Sequence, residues 1–247
     1  YNKSLDNIKS LNIFKNVKGE IKDGSTEDLK IIDIAVEEAP TGEISLAAGV
    51  GTSGSTIGGG ITEKNFLGKG INLRSFLEFS EDSIKGEFVY AKPNFAYSEN
   101  TLFTSLSSTT NDKLSDFGYK VSEIGFSVGT EFEQYENLFF SPTIQTTKED
   151  LETNVNASTA LKKQEGNYTD FYFNYGLTYD LRDSSYQPKS GNRTAFYQEL
   201  PMISDFNEIK NTFIFTQYKP LNKESDMIGK ASLYLNAINS IDEDVRI

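Results

Sequence analysis

Tyr168-Thr169-Asp170-Phe171-Tyr172-Phe173-Asn174-Tyr175-Gly176-Leu177-Thr178-Tyr179-Asp180-Leu181 decides the fold class of this chain. Phe171, Phe173, Tyr175, Leu177, Tyr179 and Leu181 take the odd positions, while Asp170, Asn174, Gly176, Thr178 and Asp180 take most of the even ones. A period of two puts one set on each face of a β-strand. The run reaches the ~9 to 11 residues that a strand needs to cross a bilayer, which is long for a soluble sheet. Several consecutive segments repeat the pattern, and together they predict an antiparallel transmembrane β-barrel.

Composition agrees. Hydrophobic residues make up only 37% of the 247 residues, and the mean hydropathy is -0.45. No stretch approaches the ~18 to 20 uninterrupted apolar residues of a membrane helix. A barrel escapes that requirement because only every second residue meets lipid. The 13% aromatic content, with 18 Phe and 13 Tyr, suits the interfacial girdles of such barrels. A net charge of -12 repels phosphate backbones and argues against nucleic-acid binding. The chain has no Cys and no His, which removes disulfides, thiolate metal sites and the commonest general base. No constellation of the remaining carboxylates, Lys, Tyr or Ser suggests an enzyme, a cofactor or a metal site.

Residues 1 to 42 read differently from the rest. Leu5, Ile8 and Leu11 recur every three residues and Ser4 could cap them, which predicts a short helix. Val17 to Lys22 and Leu29 to Glu37 then read as two strands joined at Asp23-Gly24-Ser25, with Ile32, Ile34 and Val36 on one face. Pro40-Thr41-Gly42 breaks this unit, and residues 43 to 247 read as strands and turns throughout. About eleven strands are expected, at 44–52, 55–65, 70–80, 84–92, 99–109, 119–133, 137–147, 168–181, 192–201, 208–218 and 227–238.

Short periplasmic turns and longer external loops alternate in outer-membrane barrels. With the amino-terminal unit in the periplasm, the odd-numbered connections are external. The fifth, Asn111 to Gly118, and the seventh, Lys148 to Asn167, are then long loops on the outer side, although the third connection is short. Bacterial single-chain barrels use an even strand number. Eleven strands running into Asp242-Glu243-Asp244-Val245-Arg246-Ile247, in a chain that opens at Tyr1 without a leader, predict a fragment.

Several short segments, in order, carry a family resemblance. Leu11-Asn12-Ile13-Phe14-Lys15-Asn16-Val17 resembles the helix exit of a POTRA domain. Pro40-Thr41-Gly42-Glu43 followed by Ala48-Gly49-Val50-Gly51-Thr52 resembles the junction from a last POTRA domain to a first barrel strand. Asn65-Phe66-Leu67-Gly68-Lys69-Gly70 is similar to the turn after the second strand. Leu181-Arg182-Asp183 with Tyr186-Gln187-Pro188-Lys189-Ser190-Gly191 is similar to a periplasmic turn of the form Arg-Asp, a few residues, Pro, two residues, Gly. The resemblance is to the BamA family of outer-membrane β-barrel assembly factors, within the POTRA-plus-barrel surface-antigen superfamily. It departs from that family in lacking a complete sixteen-stranded barrel, the Arg-Gly-Phe loop tip and the terminal strand.

The resemblance implies that residues 1–42 are the carboxyl-terminal part of the last POTRA domain, lying in the periplasm of a Gram-negative bacterium. It implies that residues 43–247 begin a barrel in the outer membrane. It also implies a function: insertion of other barrel proteins, without ATP or cofactor, by opening of a weak seam at the first strand. Unfolded barrel clients, periplasmic accessory lipoproteins and outer-membrane lipid are the implied partners. The first strand here is Ile44-Ser45-Leu46-Ala47-Ala48-Gly49-Val50-Gly51-Thr52. A client strand would add to it by backbone hydrogen bonding that ignores client side chains. Small residues and glycines weaken such a strand. The short apolar band of Ile44, Leu46, Ala48 and Val50 would thin the local bilayer.

Plainer readings stand beside these. Gly49, Gly51, Gly58, Gly59 and Gly60 could serve only curvature of the wall. Asp183, Pro188 and Gly191 could be turn chemistry alone. Arg74, Arg182 and Arg193 could line a lumen as solvated charge. At the level of function, a translocation barrel of the TamA or two-partner secretion type, a passive porin and a soluble β-sandwich adhesin are the alternatives.

Overall fold

The computed structural model describes the whole chain except residues 12, 27, 52–53, 185–186, 206, 223–226 and 242–247. Helix α1 spans Asn2–Ser10 and packs on a hairpin of β1 (Phe14–Asp23) and β2 (Lys30–Glu38). Val17 opposes Val36, Gly19 opposes Ile34 and Ile21 opposes Ile32, so these residues share a face. Gly19 lets the helix ride close: a Cβ there would lie 2.9 Å from Leu5 Cδ2. Ser4 lies inside α1 and is not its cap, because the helix already begins after Tyr1.

Eleven further strands form one antiparallel sheet. They are β3 (Gly42–Gly51), β4 (Gly54–Phe66), β5 (Ile71–Ser80), β6 (Ser83–Lys92), β7 (Thr101–Lys113), β8 (Tyr119–Tyr135), β9 (Leu138–Thr153), β10 (Gly166–Asp180), β11 (Gly191–Ile203), β12 (Glu208–Pro220) and β13 (Ile228–Ser240). Each strand pairs with its neighbours in sequence, in the spatial order β13 to β3. Among the described residues, β3 and β13 each have a partner on one side only.

The sheet inverts the burial of a soluble protein. In β10, Asp170 is 0% and Tyr172 3% exposed, and Thr178 is buried, whereas Phe171, Leu177 and Tyr179 are exposed. The apolar set read from the sequence therefore faces outward and the polar set faces inward, as lipid outside and water inside require. Tyr172 breaks the alternation because its ring lies under the Lys210 ammonium, 5.7 Å from Nζ, on the inner face. A cavity of about 360 Å³ is lined by Glu123, Gln145, Tyr172, Glu199, Lys210 and Ile238, which come from six successive strands. The sheet thus curls around its polar side.

Inward aromatics reinforce that curl. Phe76 lies over Gly58 and Gly60, where a Cβ would be 3.1 and 3.2 Å from its ring. Tyr197 lies likewise over Gly176 and Phe103 over Gly129. A ring placed against a bare backbone covers the weakest part of a strand.

The expected strands are all present, but several run longer. Two of the expected loops shrink accordingly. Pairing of β7 with β8 continues to Lys113 opposite Tyr119, so the fifth connection is only residues 114–118. β9 extends to Thr153 and β10 begins at Gly166, leaving residues 154–165 as the seventh. That connection holds a short helix, α2 (Thr159–Lys163), capped by Ser158 and seated through Ala157 and Leu161 on Leu151, Tyr119 and Val121.

Candidate functional site

The edge of β3 is built from what its neighbour lacks. Ser45, Leu46 and Ala47 stand opposite Gly60, Gly59 and Gly58 of β4, so three consecutive cross-strand pairs contain no second side chain. Cross-strand side-chain pairs are the unit of sheet stabilisation, and here they are missing. What remains is Leu46 reaching across Gly59, plus a long hydrogen bond of 3.4 Å from Ser45 Oγ to the Gly60 carbonyl. On the outward face Ile44, Leu46 and Val50 are 76%, 86% and 88% exposed. Gly49 has open space where a Cβ would stand, so no close approach requires it. Thr52 of the expected first strand lies outside the described residues.

Phe76, which covers the β4 glycines from inside, was not among the expected site residues. Its role depends on which residue lies across from it on the next strand, and no single-strand pattern carries that relation. The glycines thus hold a ring in place as well as permitting curvature.

The two turns quoted from the sequence close at the same end of the sheet. In the first, the Asn65 side chain accepts the Gly70 N–H at 2.7 Å, and Glu63 accepts the Asn65 N–H at 2.7 Å. Leu67, Gly68 and Gly70 all have positive φ. Phe66 pairs with Ile71 across a register shift that follows Glu63. In the second turn, Asp183 Oδ1 accepts the N–H groups of Lys189 (2.9 Å) and Ser190 (3.1 Å), and Leu181 donates to the Asn192 carbonyl at 2.8 Å. Partial burial would raise the Asp183 carboxyl, but the backbone donors of Ser190 and Lys189 outweigh it and hold the group below its ordinary range. Pro188 sits within the segment that Asp183 ties down, and Tyr186 lies outside the described residues.

The three arginines part company. Arg74 pairs with Glu87 at 3.0 Å on the inner face of β5 and β6. Arg193 bonds Thr178 Oγ1 and the Tyr197 hydroxyl, each at 3.3 Å, on the inner face of β10 and β11. Arg182 lies beyond the end of β10 and forks onto Asp180, with Nε to Oδ1 at 2.8 Å and Nη2 to Oδ2 at 2.5 Å. It lines a cavity of about 620 Å³ at that end of the sheet, together with Asp6 of α1, Glu99, Glu131 and Asp183. Among the described residues no cluster of three or more His, Cys, Asp or Glu is placed to hold a metal ion.

Residues 65–247 match the model of the Omp85 superfamily domain. Over 98% of the chain the fold superposes on the crystal structure of BamA from Haemophilus ducreyi lacking POTRA domains 1–3, with a TM-score of 0.67 and 23% identity. CdiB from Acinetobacter baumannii superposes over 96% of the chain (TM-score 0.57, 9% identity) and CdiB from Escherichia coli over 91% (TM-score 0.53, 12% identity). At these identities the likeness is one of fold. The chain spans about half the length of each, covering 49%, 46% and 46% of them.

Proposed function

Because the chain belongs to the Omp85 superfamily, we propose that it assembles and inserts β-barrel proteins in the outer membrane of a Gram-negative bacterium, with client strands templated on β3. The observation that carries this reading is the pairing of β3 with β4, where Ser45, Leu46 and Ala47 meet a run of three glycines. A strand held so weakly on this side can tilt or part, and its opposite edge can then offer a row of backbone donors and acceptors to an incoming strand. Nothing in this chemistry calls for a nucleophile, a metal or a cofactor. The driving force is the client's own pairing, since an unpaired strand in lipid leaves each backbone group several kcal/mol out of balance.

In this reading residues 1–42 are the end of a last POTRA domain, and residues 43–247 the start of the barrel. α1, β1 and β2 lie on the periplasmic side with unfolded clients and accessory lipoproteins. Asp6 of α1 lines the same cavity as Arg182 and Asp183, which supports placing the short turns at the periplasmic mouth. A translocation barrel of the TamA or two-partner secretion type is the second reading. The hydrogen-bonded inner face, with Ser105 to Ser127 (2.7 Å) and Asn174 to Gln145 (2.6 Å), would suit a polypeptide in transit.

Reconstitution of the full-length protein in vesicles separates these readings. The insertase should accelerate folding of an added, urea-unfolded barrel client by at least about tenfold, with little steady conductance. A large steady conductance with no acceleration would mean a pore.

A further inference from the structure

The outward face carries one row that does not suit hydrocarbon. Tyr175 on β10, Gln198 on β11 and Asn211 on β12 lie side by side in register. The Tyr175 hydroxyl donates to Gln198 Oε1 at 2.9 Å, and Gln198 Nε2 donates to Asn211 Oδ1 at 2.7 Å. All bonds in this chain point one way. It ends on the Asn211 amide, whose Nδ2 donates to no protein acceptor among the described residues, and the second Gln198 N–H is likewise unused.

The rows on either side fix the surroundings. Phe173 and Leu200 stand in register on one side, and Leu177, Phe196 and Phe213 on the other. Tyr175 also packs its ring near Phe140 and Phe196, with centroids 6.3 and 6.4 Å away. The amides therefore sit inside the apolar band and not in water beyond it. A polar group in that setting needs a partner, because hydrocarbon supplies none. The inward-facing pair Asn174 and Gln145 differs in lying on the lumen side, away from lipid.

We propose that this row is a lipid-binding site that takes the ester carbonyl of a membrane lipid acyl chain. The unmet groups are N–H donors, so the occupant must bring an acceptor. The flanking rows are aromatic and aliphatic, so it must also bring hydrocarbon. An acyl ester has both, a few bonds apart, and neutral donors match a carbonyl without the unpaired charge that a phosphate would leave. The site requires only that these strands span a bilayer, and it is independent of whether the protein inserts clients.

The test compares two phosphatidylcholines that differ only in linkage: a diester, and its diether analogue, which lacks the carbonyls. The full-length protein in detergent is titrated with each, and bound lipid is counted by native mass spectrometry. The expected result is tighter retention of the diester, by several-fold to about tenfold, as one or two net hydrogen bonds supply. The preference should vanish in Gln198→Leu/Asn211→Leu and persist in Gln217→Leu, another outward amide. Equal retention of the two lipids by the unaltered protein overturns the proposal without any variant. So does a preference that survives the double substitution. Concentration-dependent dimers lost in the double variant, with no linkage preference, would assign the row to a second copy of the chain and overturn it as well.

Discussion

Gly191 and Gly68 both sit at positive φ, 92° and 68°, but what surrounds them differs. A Cβ on Gly191 would fall 2.1 Å from the Leu181 carbonyl oxygen, which is backbone and cannot swing aside; at Gly68 nothing lies within 4 Å. Gly68→Ala should therefore cost only the ~1 to 2 kcal/mol of a left-handed non-glycine residue. Gly191→Ala should cost clearly more, seen as a larger drop in the heat-modifiability midpoint on gels. Asp183 in the same turn adds a pH signature. Its folded-state pKa is depressed, so its contribution is complete above the unfolded value, near 3.9, and is lost as pH falls through the folded value. Asp183→Asn should remove that acid-side loss, measured as a flatter profile of thermal midpoint between neutral pH and about pH 3. These turn residues were legible in the sequence because Gly, Pro, Asn and Asp each have a local reason to be in a turn. Phe76 and the Tyr175–Gln198–Asn211 row were not, because each exists only once strands are laid in register.

At the scale of elements, the β3–β4 hairpin should be the loosest part of the sheet, held by backbone bonds and by Phe76. Phe76→Ala would bare Gly58 and Gly60. Amide hydrogen exchange in β3 and β4 should then quicken by about tenfold or more, a loss near 1.4 kcal/mol, while β8 to β10 stay unchanged. Uniform quickening across the sheet would mean that the ring supports the whole fold and not this hairpin. The alternation that reveals β10 also places most strands, because lipid on one face and water on the other enforce it. It fails at the far ends of β7 and β9, where Asp112 opposes Lys120 and Lys148 opposes Thr169. There the outward-facing residues are polar, and the few apolar ones, such as Leu151, are buried under α2 and not repeated at alternate positions along these strands. Helix α2, five residues long, is too short to show a period of 3.6.

At the scale of the molecule, strand parity puts residues 67–70 and 181–190 at one membrane face and residues 114–118 and 154–165 at the other. These 247 residues contain no cysteine, which makes a label placed among them simple to read. In intact cells, an impermeant maleimide should label Val155→Cys, which is exposed in the seventh connection, and should reach Leu67→Cys only after permeabilisation. The central claim is that β3 receives a client strand. Its most direct test is disulfide trapping in the full-length protein, with one cysteine in β3 and a scan along the terminal strand of a client. Strand addition predicts one favoured client position for Ser45→Cys, which shifts by two residues for Ala47→Cys and is absent for Leu106→Cys on β7. Trapping that does not shift with the β3 position, or that occurs as readily at Leu106→Cys, would contradict it.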